Sequence, residues 1–371
     1  MPRPAAGPIK KPLLLALASV LTTALVLEVV FRTVLPACDE PFAYYDEPEE
    51  LLRYDATQHR DGTYTVGALT RSRSHWHVNN CGWNSEIDYL PRERRTLPLV
   101  AVIGDSFVEA LNVDTDKSVA ARLRRRLGGR FDVYSFGMSG APLSQYLQEA
   151  RYARRRFHPE VLVFVLVHND FHESFRPQSV HSHFLHVREA GARLAEEDPE
   201  PYRPSAIRRL IARSALVRYL WLNLKTEEIR KALFRARAGQ PGAERPPAPA
   251  EIPAAVQGAT AFLIERIVHE NPGSRVLFVT DGPRRAIYSG TVTGSEGERY
   301  NRLVRSVCDR LGCPFLDLTA TFSDRYQRDG RRFETPWDHH WDAHGHEVVA
   351  DAVCDWLGTP EGRPAGAARQ P

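Results

Sequence analysis

Apolar residues follow two different patterns along this chain, and the first is a single long run near the N-terminus. Residues 12–31 read PLLLALASVLTTALVLEVVF, in which Glu28 is the only charged residue. In a helix, roughly 20 residues at about 1.5 Å each cross a hydrocarbon layer of about 30 Å. The run therefore predicts a transmembrane helix over residues 12–31.

The second pattern is an alternation of short apolar runs with stretches of helical periodicity. Continuous runs rich in β-branched residues are typical of strands buried on both faces of a parallel sheet. They predict strands at residues 97–103, 131–136, 161–167, 275–280 and 314–318. Helices are predicted from near Asp116 as N-cap, from Pro142 to about Arg156, and over residues 252–270, 295–311 and 343–357. This alternation implies crossover connections and a doubly wound α/β domain with about five parallel strands.

The other segments complete the predicted organisation. Residues 1–11 precede the membrane helix, and residues 32–95 read as an extended juxtamembrane segment packed on the domain. The domain spans residues 96–358 and carries a helical insert at about 171–250. Residues 359–371 have the composition of a disordered tail.

The insert contains a basic helical stretch, residues 205–236, followed by a Pro/Ala/Gly-rich loop at 239–253. The apolar residues of the predicted helix form a stripe: Ile207, Leu210, Ile211, Val217, Leu220, Trp221 and Leu224. Such a stripe fits packing against the domain, a lid, or a surface resting on anionic lipid headgroups. The sequence leaves these interpretations open.

Charges on either side of the apolar run predict its orientation. Arg3, Lys10 and Lys11 precede it, whereas acidic residues dominate the stretch from 39 to 50. The positive-inside rule places the N-terminus in the cytoplasm and the domain outside, in the periplasm or at the cell surface. A cleaved signal peptide is the alternative, but the run is long and no small-x-small site follows it. A lipoprotein site at Cys38 is disfavoured by the proline two residues earlier.

Composition narrows the classes of partner. The 49 basic and 46 acidic residues give a net charge of +3, which argues against nucleic acid as the main partner. None of the five cysteines forms a Cys-x-x-Cys pair, so a metal site of that type is not expected. An exported domain permits disulfides. Cys308 with Cys313 and Cys38 with Cys81 are candidate pairs that leave Cys354 over, and the sequence does not decide between these arrangements.

Residues with catalytic potential follow three of the predicted strands. The first strand leads into Gly104-Asp105-Ser106, the second into Gly137 to Gly140, and the third into His168-Asn169-Asp170. Ligands of open parallel sheets bind outside the carboxyl ends of the strands, so these groups should converge. A serine nucleophile needs a base and a group that orients the base. Asp338 and His340 supply both, on one predicted loop before the last helix.

These four segments resemble, in the same chain order, the sequence blocks of SGNH (GDSL-like) hydrolases. VIGDSFVEALNV resembles the nucleophile block, SFGMSGAPLSQ the second block, VLVHNDF the third, and DHHWDAHGHEVVA the last block in an Asp-x-His-Trp form. The VNNCGWNSE stretch and the N-terminal helix resemble membrane-anchored members. The resemblance covers most of residues 12–357, except the insert, and implies a three-layer flavodoxin-like fold.

The resemblance also implies a role for each matching residue. Ser106 is the nucleophile, His340 the base, and Asp338 the group that orients it. The oxyanion hole is formed by the amides of Ser106 and Gly140 and by the side chain of Asn169. The tryptophan after His340 makes it a better match than His339. No metal or cofactor is implied.

The sequence departs from the family pattern at three points. Val167 stands where the third block usually has glycine, and Ser135 stands where the second block has asparagine. One residue, rather than the more common two, separates Asp338 from His340. The nearby Asp105 and Asp170 are interpreted as residues that order their loops, and His346 as a structural residue.

Three functions are consistent with these features. The first is an extracytoplasmic esterase that cleaves O-acyl esters, in particular O-acetyl esters, of a small molecule or a glycan. The second is an O-acyltransferase that modifies an envelope or secreted polysaccharide through the same acyl-enzyme. The third is a non-catalytic binding module that keeps the fold.

Overall fold

The computed structural model describes residues 10–57, 59–176, 181–191, 193–224 and 251–362. The predicted helix beyond residue 224, the loop up to residue 250 and the tail from residue 363 lie outside the described residues, as do the side chains of Leu210 and Ile211. The chain divides into two compact units. The helical unit comprises Met1–Glu40, Thr63–Arg73 and Pro204–Gly242, and the sheet unit comprises Pro41–Gly62, Ser74–Arg203 and Ala243–Pro371.

The strands build one large sheet and several hairpins. In chain order they are β1 (Ala43–Asp46), β2 (Leu51–Tyr54), β3 (Asp61–Val66), β4 (Ser72–His77), β5 (Leu99–Gly104), β6 (Asp132–Gly137), β7 (Val161–Leu166), β8 (His186–Ala190), β9 (Arg193–Glu197), β10 (Arg275–Thr280), β11 (Phe315–Asp317), β12 (Glu334–Thr335) and β13 (Asp338–Trp341). Five of these form a parallel sheet in the order β11-β10-β7-β5-β6, as the apolar runs predicted.

Burial explains why these runs become sheet strands. Every residue of β5 and β7 is buried, which requires cover on both faces of the sheet. In the centre of the sheet, Ile103 pairs with Phe136 on one side and Phe164 on the other. The chain passes from β5 to β6 and then crosses back to β7, so the direction of winding reverses between β5 and β7. Ligand sites of doubly wound sheets lie at such a reversal.

The helices cover the sheet and connect its strands. In chain order they are α1 (Lys10–Thr33), α2 (Ser106–Glu109), α3 (Val119–Leu127), α4 (Leu143–Phe157), α5 (His168–Glu173), α6 (Ala206–Arg213), α7 (Ala215–Arg218), α8 (Ala254–Glu270), α9 (Arg284–Ser289), α10 (Glu296–Leu311), α11 (Leu318–Asp329) and α12 (Ala343–Gly358). The predicted helices at 142–156, 252–270, 295–311 and 343–357 are confirmed, with ends that differ by at most two residues.

Three details of the helix prediction were wrong. The N-cap of α3 is Ser118, whose side chain accepts a hydrogen bond from the Ala121 amide, because Asp116 lies in a preceding 3₁₀ turn. Helices α2, α5, α9 and α11 were not predicted. The stretch from residue 205 is not one helix, since Ser214 has extended dihedral angles (φ −110°, ψ 120°) and separates α6 from α7.

The helical unit contains the apolar N-terminal helix. Within Lys11–Thr33, a window of 18 residues has a mean hydropathy of 2.4, and none of the residues in that window is buried. This helix is therefore a candidate membrane span by length and composition. The unit has its own small core, in which Ala37, Ala215 and Tyr219 pack with Phe31.

All five cysteines are free thiols in the structure. Cys308 and Cys313 are neighbours at the end of α10, and a hydrogen bond joins their thiols. Cys38 is buried.

Candidate active site

Ser106 begins a short helix at the carboxyl end of β5. Asp105 is the N-cap of this helix, and its carboxylate accepts a hydrogen bond from the Phe107 amide at 2.9 Å. The Ser106 hydroxyl lies 3.4 Å from the other oxygen of Asp105. Asp105 thus orders the turn that presents the serine, as the sequence indicated.

Ser106, Asp338 and His340 converge, although 234 residues separate the serine from the histidine. Nε2 of His340 lies 2.8 Å from Oγ of Ser106, and Nδ1 of His340 lies 2.5 Å from Oδ1 of Asp338. The backbone amide of His340 donates to the same aspartate oxygen at 3.1 Å. A continuous hydrogen-bonded line therefore runs from the carboxylate to the hydroxyl.

Asp338 and His340 lie on a strand and not on the loop expected from the sequence. Strand β13 pairs antiparallel with β12. Side chains two residues apart on a strand point to the same side, which explains how a spacing of one intervening residue brings the aspartate and the histidine together. The intervening residue, His339, is exposed, whereas His340 is partly buried.

Burial and pairing together determine the charges of these groups. Burial would lower the pKa of His340, but the hydrogen bond and the negative charge of Asp338 outweigh it and raise that pKa above 6.5. Burial would raise the pKa of Asp338, yet its hydrogen bonds with His340 and the charge of that ring lower it. The arrangement favours a carboxylate beside an imidazole that readily accepts a proton.

The three residues predicted for the oxyanion hole differ in their hydrogen bonding. Gly140 has a φ of 77°, a conformation that glycine adopts most readily. Among the described residues, no acceptor receives a hydrogen bond from the amide of Gly140 or that of Ser106. Asn169 is exposed, and its side-chain amide donates to Glu173 at 3.2 Å. Two backbone donors are therefore available, and one of the two N–H groups of the Asn169 side chain is engaged by a neighbouring carboxylate.

Glu109 connects the nucleophile helix to the loop after β6. Its buried carboxylate accepts hydrogen bonds from the amide of Ser139, at 3.1 Å, and from the hydroxyls of Ser139 and Tyr54. Gly137 approaches so closely that a Cβ there would lie 2.1 Å from the Glu109 amide nitrogen. These contacts hold the loop after β6 against the nucleophile helix.

Arg284 holds the hairpin that carries the aspartate and the histidine. Its guanidinium donates to the Glu334 carboxylate and to the His339 carbonyl, each at 2.8 Å. The same group pairs with Asp281 at 3.2 Å and lies 5.4 Å from the centre of the Phe107 ring. Arg284 therefore connects the hairpin to the nucleophile turn.

Neither Arg284 nor its partner Asp281 was predicted from the sequence. Asp281 directly follows β10, and its carboxylate also accepts a hydrogen bond from the indole of Trp341 at 3.1 Å. The rule that places sites at strand carboxyl ends would have indicated Asp281, because this strand was predicted correctly. Arg284 carried no comparable signal, since arginines are common on the helices of this chain.

Two acids near Asp105 are fully buried. Asp170 accepts hydrogen bonds from the Val167 amide at 2.8 Å and from the Tyr146 hydroxyl at 2.9 Å, so it fixes its loop as predicted. Neither carboxylate oxygen of Glu149 has a hydrogen-bond partner among the described residues. Burial, reinforced by the charge of Asp105, raises the pKa of Asp170 and that of Glu149 well above their usual values. Both side chains are therefore favoured in the neutral form.

Histidines near the site serve different purposes. Asp338, His339 and His340 offer ligand atoms within 4.8 Å of one another, the one such group in the described part of the chain. Both ring nitrogens of His340 are already hydrogen-bonded, however, which suits proton transfer better than metal binding. His346 is buried, accepts a hydrogen bond from the Val119 amide at 3.2 Å, and has a pKa lowered to about 3 by burial. It is a structural residue, as predicted.

Comparison with known proteins identifies one matching family. The sequence profile of the GDSL-like lipase/acylhydrolase family matches residues 102–348, which include Ser106, Asp338 and His340. No curated protein sequence matches this chain.

Solved structures with similar folds include several esterases. A carbohydrate acetylesterase family member from Sinorhizobium meliloti is 14% identical, with a TM-score of 0.35 over 70% of this chain and 97% of that chain. A lipase/acylhydrolase from Enterococcus faecalis is 10% identical, with a TM-score of 0.40 over 73% of this chain and 100% of that chain. These similarities are too distant to inform function.

Proposed function

The chain belongs to the GDSL-like lipase/acylhydrolase family, and on that premise we propose that it is a membrane-anchored serine esterase that cleaves carboxylic O-acyl esters. The observation that carries this proposal is the hydrogen-bonded line from Asp338 through His340 to Ser106, with distances of 2.5 and 2.8 Å. O-acetyl groups of a glycan or a small molecule are the proposed substrates.

The first half of the proposed reaction forms an acyl-enzyme. His340 Nε2 accepts the hydroxyl proton of Ser106 as Oγ forms a bond to the carbonyl carbon, and the π electrons move onto the carbonyl oxygen. Asp338 keeps the imidazole in the productive tautomer and stabilises its protonated form. Collapse of the intermediate breaks the ester C–O bond, and His340 delivers its proton to the leaving alcohol.

The second half regenerates the serine. His340 takes a proton from water, whose oxygen attacks the acyl carbon, and the carboxylic acid leaves as Ser106 recovers its proton. In both halves the amides of Ser106 and Gly140 stabilise the oxyanion. The side-chain amide of Asn169 is the proposed third donor.

The anchor is proposed to be retained in the mature protein, with the N-terminus in the cytoplasm and the sheet unit outside. The contacts of its last turns support retention. Phe31 stacks on Tyr219 with ring centres 3.8 Å apart, and Glu28 accepts hydrogen bonds from Ser214, Ala215 and Leu216 at 2.8–3.0 Å. Cleavage after the helix would remove these contacts and expose Tyr219. Intact mass analysis of the membrane fraction tests this, and a reporter fused after residue 60 tests the orientation.

Labelling with a fluorophosphonate tests the catalytic proposal. The full chain should be labelled, Ser106→Ala should abolish labelling, and the exposed-site control Ser289→Ala should be labelled like the parent. Labelling that survives the Ser106→Ala change would refute the assignment of the nucleophile. An unlabelled parent protein that is folded would favour the non-catalytic binding module.

Transfer of the acyl group to a glycan hydroxyl is the alternative outcome of the same acyl-enzyme. The two reactions diverge only when water or an alcohol attacks the acyl carbon. Product analysis with and without added glycan distinguishes them, because a transferase forms acylated glycan at the expense of free acid.

A further inference from the structure

The helical unit exposes large apolar side chains beyond the anchor helix itself. These are Val34, Leu69, Ile207, Leu220 and Trp221. Ile207 exposes 67% of its surface and Trp221 45%. Apolar side chains grouped in one small unit mark an interaction surface.

Contacts tie these side chains to the C-terminal end of the anchor helix. The Leu69 amide donates to the Tyr219 hydroxyl at 3.2 Å, and the Tyr219 ring stacks on Phe31 of α1. Leu220 and Trp221 directly follow Tyr219 in a π-helical turn. The surface therefore begins where the candidate membrane span ends.

Glu28 holds the segment after α6 against the same end of the anchor. Its carboxylate accepts hydrogen bonds from the Ser214 hydroxyl and from the amides of Ala215 and Leu216, so it caps α7. Arg32 pairs with Glu28 at 2.6 Å and donates to the Arg213 carbonyl at 2.9 Å. Because Arg213 is the last residue of α6, the C-terminal end of this helix lies at the end of the span.

Helix α6 combines apolar and basic residues. It reads AIRRLIAR and contains no acidic residue. Ile207, Arg209 and Arg213 are exposed, as are Arg71 and Arg73 of the same unit. The guanidinium groups of arginine bind phosphate oxygens through paired N–H donors. Tryptophan is enriched at the boundary between the hydrocarbon core and water. A basic amphipathic helix of this kind is typical of a membrane surface.

We infer that α6, Leu69, Leu220 and Trp221, named here the headgroup surface, lie in the headgroup layer of an anionic bilayer. This inference rests on the proposed retention of the anchor. Continuity with the span and the complementarity of arginine with lipid phosphate support it. Leu69, Ile207 and Trp221 would enter the boundary with the acyl chains, and Arg209 and Arg213 would contact phosphates.

Quenching by bromolipids tests the apolar part. The full chain has six tryptophans, of which Trp221 and Trp337 are exposed to similar extents, 45% and 49%. The protein is reconstituted into brominated phosphatidylcholine vesicles, and its fluorescence is compared with that in unbrominated vesicles. We expect Trp221→Phe to lose most of the quenching and the matched control Trp337→Phe to keep it. Equal quenching of the parent and Trp221→Phe would overturn the inference.

Charge reversal tests the requirement for anionic lipid. Adding phosphatidylglycerol to the vesicles should increase quenching of the parent, and the double change Arg209→Glu and Arg213→Glu should abolish that increase. The control is the double change Arg302→Glu and Arg328→Glu, at two exposed arginines of the sheet unit, which should leave the increase in quenching unchanged. Quenching that is independent of phosphatidylglycerol in the parent would overturn the anionic assignment.

A purified chain whose mass lacks the first 33 residues would overturn both anchoring and this inference, whereas a full-length chain with unquenched Trp221 would overturn this inference alone.

Discussion

At the scale of single residues, the proposed chemistry requires His340 to be neutral before the reaction and charged during it. The carboxylate of Asp338 raises the pKa of the imidazole against the opposing effect of burial. The same carboxylate therefore sets both the tautomer and the pH range of activity.

The first prediction concerns the pH dependence of kcat/KM. Activity requires the deprotonated imidazole, so kcat/KM should rise with pH through a midpoint above the usual pKa of histidine. Asp338→Asn removes the group that raises this pKa while burial persists, so the midpoint should fall and the rate should drop by about 10³–10⁴-fold. Hydrolysis of a short-chain acyl ester across acid and neutral pH measures both effects. Asp324→Asn, at an exposed helical position, is the control, and an unshifted midpoint in Asp338→Asn would contradict the assignment.

A second prediction separates the two roles open to Asn169. If its amide stabilises the oxyanion, Asn169→Ala should lower kcat by about 10²–10³-fold with little change in KM. If the amide serves only its hydrogen bond to Glu173, then Glu173→Ala should be as harmful. We expect Glu173→Ala to remain within a few-fold of the parent. Equal losses in the two variants would remove Asn169 from the oxyanion hole.

At the scale of secondary structure elements, the sheet was predictable and its surroundings were less so. Strands such as Val161–Leu166 are continuous apolar runs because both faces are covered, and that pattern is visible in the sequence. Helix α11 was missed because only Leu318 and Phe322 are buried along its 12 residues. Both Asp116 and Ser118 are chemically suited to cap α3, and only the preceding 3₁₀ turn decides between them.

The candidate site was likewise predictable from the sequence only in part. Ser106, Asp338 and His340 were named from motifs, but the strand that aligns the last two depends on pairing with Glu334 and Thr335, which the sequence does not specify. The Arg284 contacts were unpredictable for a related reason. They join segments about 50 residues apart, and one arginine resembles any other until the fold brings the partners together.

The third prediction follows from this arginine. Arg284→Met removes two contacts of the hairpin, the ion-paired hydrogen bond to Glu334 and the hydrogen bond to the His339 carbonyl, so the His340 ring should be less well positioned against Ser106. A displacement of this kind lowers kcat by about 10–100-fold. Arg284→Lys should recover little of the lost activity, because an ammonium group cannot reproduce the planar set of N–H donors of a guanidinium. Steady-state kinetics are the measurement, with the exposed neighbour Arg285→Met as the control. A wild-type kcat in Arg284→Met would show that the hairpin keeps its position without this arginine.

At the scale of the whole molecule, the division into two units predicts that anchoring and catalysis are separable. The fourth prediction concerns a chain that begins at residue 34. It lacks Phe31 and Glu28, so Tyr219 loses its stacking partner and α7 loses its cap. Limited proteolysis should then cut within residues 204–224 more readily than in the full chain. Fluorophosphonate labelling of Ser106 should persist, because every contact of the catalytic line lies in the sheet unit. Loss of labelling in a folded truncated chain would show that the units depend on each other.

The distance along the chain between the nucleophile and its base has a consequence for biosynthesis. Ser106 is translated 234 residues before His340. Under the proposed mechanism, a ribosome that has completed the serine turn has produced an unactivated hydroxyl, which becomes reactive only when the hairpin of β12 and β13 docks.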